Sequence, residues 1–546
     1  MSNQSLRPSP AKFGLEPDSK LWHGLAIAAI AYGLLIIVVQ YLSNDGLRGD
    51  EAALALNLVN RSYLELAQPL DYNQGAPLGF LWIEKLAIQL FGKSEYALRL
   101  FPVSASISSF LLLYTVAKRW LSPPAIPICL GLFGTLRRIV FHAVEAKQYA
   151  SDMAIALALL LVAMAVNSGL LDRRKLLIYS VVGALAIWFS HPAALVLAGL
   201  ELAHILICLS SKKSLQLSGK LPIYLSWIAS FGGFYWITAS NLGDNTTLLS
   251  SWSNGFPSSP FDVIWVLDAL GRAFYEPFSF ESPSDGLAMV FFVVGCVAFY
   301  RKNKSAFLLC ICPILVTLFA SFLHQYPFLK RLIIFLAPTF YLLISEGTSV
   351  SIRGLFQASA RHFPLAKWLA RAVGVAIVFA LFYYPIKESG AIPFRPKQEH
   401  GIRAVLEYIR EYRAPEDKIF VFQNGDLQFA YYAPLYGFAE SDYIIGTDDF
   451  LQRNDSSLTQ SERLAIELDL LRQSDRVWVL FSRTDFGEQV RLVRAYLETF
   501  SREIDSFEGV RSFTFLYDID SDIDSDIDSS TGEAIGDSRT KGVESV

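Results

Sequence analysis

The chain runs to 546 residues, 53% of them hydrophobic and only 18% charged, whereas soluble domains carry roughly a quarter charged residues. A formal net charge of -4 argues against a basic nucleic-acid-binding surface, and all five cysteines (Cys129, Cys208, Cys296, Cys310, Cys312) lie in apolar runs, which argues against a disulfide framework or a cysteine zinc site outside a membrane. The repeated apolar runs indicate instead a polytopic α-helical membrane protein.

Residues 1–20 are polar, carry Arg7, Lys12 and Lys20, and read as a cytoplasmic N-terminal segment. The run Leu21–Leu42 is too long for a secretory core region and lacks a small-residue cleavage site, so it reads as an uncleaved signal-anchor helix. Ser43–Glu95 follows, a segment too long for a simple connector. It contains "LRGDEAALAL", in which Asp50 and Glu51 stand at the mouth of the next helix. One reading of this pair is helix capping, with favourable charge in the first turn. The other is a catalytic base at the membrane surface. The leucines of "EAALALNLVNRSYLELA" suit a helix lying on that surface.

Further spans are expected near Tyr96–Ala117, Pro123–Phe141, Ala150–Val166, Leu176–Ser190, Pro192–Leu209, Pro222–Ala239, Gly286–Tyr300, Ala306–Leu323, Leu332–Ser345 and Trp368–Tyr384, about eleven in all. With an odd count, Lys118-Arg119, Asp172–Lys175, Lys212-Lys213, Arg301–Lys304 and the loop bearing Arg353, Arg361 and Lys367 share one side, which the positive-inside rule makes cytoplasmic. Arg137-Arg138 dissent, so they need an anionic partner or their span ends early. The transmembrane domain is thus 21–386, with outer loops 43–95 and 241–285 and a C-terminal domain on the outer face of the plasma (inner) membrane.

That domain, 397–518, alternates helical patterns (Gly401–Arg413, Ser461–Arg472, Phe486–Phe500) with strand-like runs "KIFVF", "YIIG", "RVWVLF" and "SFTFLY", the mark of a small α/β fold. It has no Gly-rich phosphate fingerprint and no nucleophile elbow, so it is assigned no chemistry of its own. The remainder, 519–546, repeats "DIDS" and reads as a disordered acidic tail; an EF-hand register from Asp522 fails because Ile527 occupies the glycine position.

Three polar clusters fall on the expected outer side. The first loop carries Arg48, Asp50, Glu51, Asp71, Gln74, Glu84 and Lys85. The turn "FHAVEAKQYASD" carries His142, Glu145, Lys147, Tyr149 and Asp152, and "HQYPFLKRL" carries His324, Tyr326, Lys330 and Arg331. Carboxylates beside cations at one membrane face suit deprotonation of a hydroxyl and stabilisation of a phosphate leaving group. The plainer alternatives are an exposed Glu84–Lys85 pair and headgroup anchoring by Lys330-Arg331.

The stretch from "GDEAALALNLVNRSYLELAQPLDYNQGAPLGF" to "FGKSEYALRLFPV" resembles the first outer loop and second span of GT-C glycosyltransferases of the family-39-like group, which includes protein O-mannosyltransferases and lipid A aminoarabinose transferases. Glu145 in "EAKQYASD" is similar to the acidic residue that opens the family's fourth span, and Arg331 with Pro338 in "RLIIFLAPTFYLLISEG" to its late Arg and Pro. The resemblance implies transfer of a sugar from a polyprenyl-phosphate donor to a glycan, lipid or protein acceptor at the outer face of the bilayer, with inversion. It implies Asp50 as base and Glu51 and Glu145 as orienting groups, a divalent metal ion being one means of orienting. Arg331 with Lys330 would stabilise the leaving phosphate. Some relatives place Glu-Lys, the lysine meeting the lipid phosphate, where this chain has Gln74 and Gly75, so that role is vacant or passes to Lys85, Lys147 or Arg331. Lys147 and Tyr149 stand in "KQY", where the family has "RPY". The rival class, a lipid or sugar transporter or flippase, predicts charges near the bilayer midplane and repeated halves, and no repeat is visible.

Overall fold

The computed structural model describes residues 19–166, 172–211, 217–239, 250–360, 364–394, 401–446, 460–482 and 487–519. The N-terminal segment, Lys212-Lys213, Arg361, the start of the second outer loop and the acidic tail lie outside the described residues. The chain divides into two compact units, 1–44 with 57–397, and 45–56 with 398–546.

Among its described residues the first unit is helical, and helices lie at each expected span. Among the described residues, eight are long and apolar enough to cross a membrane: Lys20–Leu42, Glu95–Trp120, Tyr149–Val166, Ala193–Ser210, Ser284–Lys302, Lys304–Phe322, Lys330–Ser359 and Pro364–Gly390. Arg173–Phe189 stops at 17 residues, and Leu217–Phe234 is diluted by serine, glycine and Lys220. The span expected at Pro123–Phe141 is broken: Ala125–Thr135 and Arg137–Ala143 meet at 61° across an extended Leu136. The break resolves the dissent of Arg137-Arg138, because the apolar helix ends before them and both are exposed. Polar residues set the starts of several helices, Ser94 accepting from the Ala97 amide, Asp172 from Lys175 and Asn303 from Ala306.

Close packing and buried charge tie the helices together. A Cβ at Gly295 would collide with the Leu343 carbonyl, and one at Gly347 with that of Phe291. Helices Ser284–Lys302 and Ala337–Ala360 therefore meet backbone to backbone, as small residues permit in membranes. Fully buried Glu346 accepts from the Ser122 amide (2.7 Å) and hydroxyl (2.9 Å) and from Lys302 Nζ (3.1 Å), which anchors the turn before Pro123. Glu201 likewise holds Lys220 at 2.9 Å and the Tyr224 hydroxyl at 2.8 Å. Removing one partner of such a buried pair is costly, so these contacts lock helix positions.

The second unit is a mixed five-stranded sheet in the order β2-β1-β3-β5-β4. Its strands are β1 (Lys418–Val421), β2 (Tyr443–Ile445), β3 (Arg476–Ser482), β4 (Ser501–Gly509) and β5 (Ser512–Ile519). β1 runs parallel to both β2 and β3, and β5 is antiparallel to β3 and β4. Helices Gln460–Leu468 and Gly487–Leu497 cover Phe420, Val477 and Val479 with Leu464, Leu468, Val493 and Leu497. All four expected strands and three expected helices are present. β4 and the helix Asp426–Tyr436 are additional. β4 is an edge strand whose Arg502, Glu503 and Asp505 protect that edge from pairing with other chains, and this polarity hid it from a hydrophobicity reading.

Residues 45–56, read from the sequence as part of the first outer loop, cluster with this second unit. The expected surface helix is buried instead: Ala52, Ala53, Leu54, Ala55, Leu56 and Leu58 are all under 8% exposed. A run apolar on every face has no polar side to present to headgroups, so burial all round is the stable arrangement.

Candidate active site

In the first unit, the turn between helices Arg137–Ala143 and Tyr149–Val166 folds its polar side chains inward. Glu145 and His142 are both nearly fully buried, and His142 Nδ1 lies 2.5 Å from Glu145 Oε2. The other carboxylate oxygen of Glu145 faces Arg331 at 3.8 Å. Arg331 enters from the 3₁₀ segment Lys330–Leu336 and lies over the Tyr149 ring at 5.3 Å, a cation–π contact. The His142 ring meets the same tyrosine edge-on at 5.0 Å. Arg331 is 41% exposed, so it presents a partly open cation backed by a buried anion and an aromatic face.

Lys147 donates to the Gln74 side chain at 2.5 Å, and the Gln148 amide reaches the Gly75 carbonyl at 3.5 Å. These bonds hold the Pro-containing segment "NQGAPLGF" against the turn. Gln74, Glu145, Lys147, Tyr149 and Arg331 are thereby brought together. Lys85 is not among them: it is buried and donates to the Leu58 carbonyl at 2.8 Å, closing the end of the helix Gly49–Asn60. Lys330 is exposed, and its backbone is left-handed, with a φ of 44°. His142, which the sequence reading placed in the turn without a role, is a hydrogen-bond partner of Glu145. Its signal was its i,i+3 spacing from that acid.

The second unit holds the acidic pair. The Ala52 amide bonds to the Arg48 carbonyl at 2.7 Å, which makes Arg48 the N-cap, Asp50 the second helical residue and Glu51 the third. Glu51 reaches back to the Arg48 amide at 3.0 Å, the reciprocal bond of a capping box. By this count the N-cap position is Arg48, and the back-bond to it belongs to Glu51. Glu51 is buried and Asp50 half-buried, both in the first turn, where the helix dipole favours negative charge.

The crystal structure of ArnT from Cupriavidus metallidurans in the apo state aligns with 92% of this chain and 98% of its own, at a TM-score of 0.50 and 13% identity. The chain has the GT-C fold. At that identity the likeness is one of fold. ArnT bound to undecaprenyl phosphate (TM-score 0.47, 12% identity, 91% and 98% covered) and archaeal AglB from Archaeoglobus fulgidus with an inhibitory peptide and a dolichol-phosphate (0.48, 10%, 91% and 74%) score too low to add to it. No family model matches the sequence, and neither does any curated protein.

Among the described residues, no group of three or more His, Cys, Asp or Glu is arranged to hold a metal ion. Glu84 departs from the exposed pair read from the sequence. It is buried, and neither carboxylate oxygen has a hydrogen-bond partner among the described residues. Burial pushes its pKa well above the ordinary carboxylate value. A folded-state pKa above the unfolded value of roughly 4.3 makes stability greatest below that value, and stability falls as pH rises towards the folded pKa. Glu84→Gln is therefore expected to raise the thermal midpoint at pH 7 and to flatten its decline between pH 4 and 7. Thermal melts across that range in which the variant tracks the parent would refute the account.

Proposed function

We propose that the protein is a membrane glycosyltransferase that moves a sugar from a polyprenyl-phosphate carrier to an acceptor hydroxyl on the outer face of the plasma (inner) membrane. The observation that carries the reading is the Arg331 cation at the head of an apolar span, held by buried Glu145 and the Tyr149 ring. A guanidinium in that setting suits a phosphate at headgroup depth, with its charge strengthened by poor access of water. The GT-C fold and the resemblance of the first loop support the same class.

The reaction is a single displacement. Asp50 takes the proton of the acceptor hydroxyl, whose oxygen attacks the anomeric carbon. The bond from that carbon to the phosphate oxygen breaks, and polyprenyl phosphate leaves as an anion, with inversion at the sugar. Arg331, with Lys330 beside it, stabilises the leaving phosphate. Glu145 and Tyr149 hold Arg331 in place, Lys147 and Gln74 hold the Pro-containing segment, and Glu51 fixes the start of the helix that carries Asp50. Lys85 serves by closing the far end of that helix. The acceptor is a glycan, a lipid or a protein.

The test is incubation of the purified protein with labelled polyprenyl-phosphate sugars and an envelope extract. Free polyprenyl phosphate should appear in step with a labelled acceptor. Failure to release it from any hexosyl or pentosyl donor would sink the proposal.

Orientation is part of the proposal: the N-terminus is cytoplasmic and the α/β unit is outside, since the Lys/Arg loops then share the inner side. Reporter fusions after Gly401 and within Arg301–Lys304 should give opposite signals, and matching signals would remove an outer-face reaction.

A further inference from the structure

We infer that the C-terminal α/β unit positions the proposed base, through Gln428 and Tyr432, which grip the backbone of Leu47 just ahead of the Asp50 helix. The inference rests on the reading of Asp50 as the base. It gives the domain a part in the transfer step, where the sequence assigned it none.

In α/β sheets, ligands settle in the crevice at the carboxyl ends of parallel strands, where the connections leave in opposite directions. Here that crevice lies between β1, which leads to β2 on one flank, and β3, which leads to β4 at the other edge. β1 ends in the turn Gln423–Gly425, which opens the helix Asp426–Tyr436. Gln428 and Tyr432 are four residues apart, so they project from one face of that helix. Both are 1% exposed.

Their partner is a piece of the protein's own chain. The Leu47 amide donates to the Tyr432 hydroxyl at 2.9 Å, and the Leu47 carbonyl accepts from Gln428 Nε2 at 2.6 Å. Leu47 is fully buried, so neither backbone group can turn to water, and losing a bond would leave a buried polar group unpaired. The Ser482 hydroxyl, at the carboxyl end of β3, donates to Gln428 Oε1. That bond fixes which way the Gln428 amide faces and aims its nitrogen at Leu47. The Ser512 hydroxyl stands 3.4 Å from Ser482 and extends the polar chain to β5. These contacts join residues 381 and 385 positions apart in sequence.

The grip falls one residue before the N-cap Arg48, and the Glu51 back-bond then sets the first turn. A rigid anchor on one side and a closed first turn on the other leave Asp50 little freedom of position. Because displacement of a reacting group by about 1 Å can cost a hundredfold in rate, loosening this anchor should appear in turnover. Gln428 and Tyr432 are positioning residues, since they reach the substrate only through Asp50.

The test uses the full-length protein. Tyr432→Phe removes the acceptor of the Leu47 amide while keeping the ring, and Ser482→Ala removes the lock on Gln428. Each is expected to lower kcat about tenfold with donor KM unchanged. Hydrogen exchange at the Leu47 amide should speed up in Tyr432→Phe. Added to Asp50→Asn, neither change should cost further rate, because nothing remains to be positioned. Wild-type kcat in Tyr432→Phe beside an impaired Asp50→Asn would overturn the positioning role alone. A loss of equal factor in both backgrounds, tracking a lowered folded fraction, would reduce the contacts to structural ones and overturn it too. Full activity in Asp50→Asn would overturn the base reading, and the inference with it.

Discussion

Asp50→Asn is expected to leave the protein folded and to lower turnover about a hundredfold or more, the loss that follows removal of a positioned general base. Asn has the same shape as Asp and accepts hydrogen bonds but cannot take a proton at neutral pH. The position matters as much as the chemistry. Asp50 is the second residue of its helix, the N-cap being Arg48, so its replacement forfeits the first-turn charge interaction, about 0.3–1 kcal/mol, without the N-cap itself. Glu51 supplies the control. Glu51→Ala loses the bond to the Arg48 amide and is expected to cost about 1 kcal/mol, while Glu51→Gln keeps an acceptor and should be nearly neutral in stability with an intermediate loss of rate. Thermal midpoints and donor turnover measured together separate the two carboxylates. A well-folded Asp50→Asn protein with full turnover would leave Asp50 a structural residue of the helix start, and the search for a base would move to Glu51 or Glu145.

What the sequence could reveal depended on whether the signal was local. Spans such as Ala193–Ser210 and Lys304–Phe322 are apolar along most of their length, and a window of that length finds them. β3, with its "RVWVLF" run buried on both faces, is equally plain. β4 is not, because an edge strand meets water along one side and alternates serine, arginine, glutamate and aspartate with few apolar residues. The candidate site divides in the same way. Glu145, Tyr149 and Lys147 share one short turn, and their sequence proximity suggested a cluster. The reach of Arg331 to Glu145, of Lys147 to Gln74 and of Gln428 to Leu47 leaves no trace in spacing, because each is decided by packing between distant segments. Glu84 and Lys85 show the opposite error. Adjacent opposite charges look like a solvated pair, yet both are buried and Lys85 bonds to a backbone carbonyl.

Arg331→Ala is expected to reduce kcat/KM for the donor by a hundredfold to a thousandfold, the usual scale for removing a group that faces charge developing on a leaving oxygen. Two effects are mixed in that variant. Truncation removes the phosphate's cation, and it also leaves buried Glu145 with one fewer positive neighbour, which threatens stability. The structural part should be modest, since Arg331 is 41% exposed and its 3.8 Å contact with Glu145 is long. Arg331→Lys separates the two. An ammonium keeps a positive charge for Glu145, so stability should hold, but it lacks the planar fork that engages two phosphate oxygens and stacks on Tyr149. The lysine variant should therefore fold normally and still lose about tenfold or more in kcat/KM. Glu145→Gln, which removes the carboxylate charge behind the guanidinium, should shift donor affinity in the same direction by a smaller factor. An Arg331→Lys protein with parental donor kinetics would show that the site needs only a positive charge there, and an Arg331→Ala protein with parental kinetics would place phosphate recognition on another residue altogether.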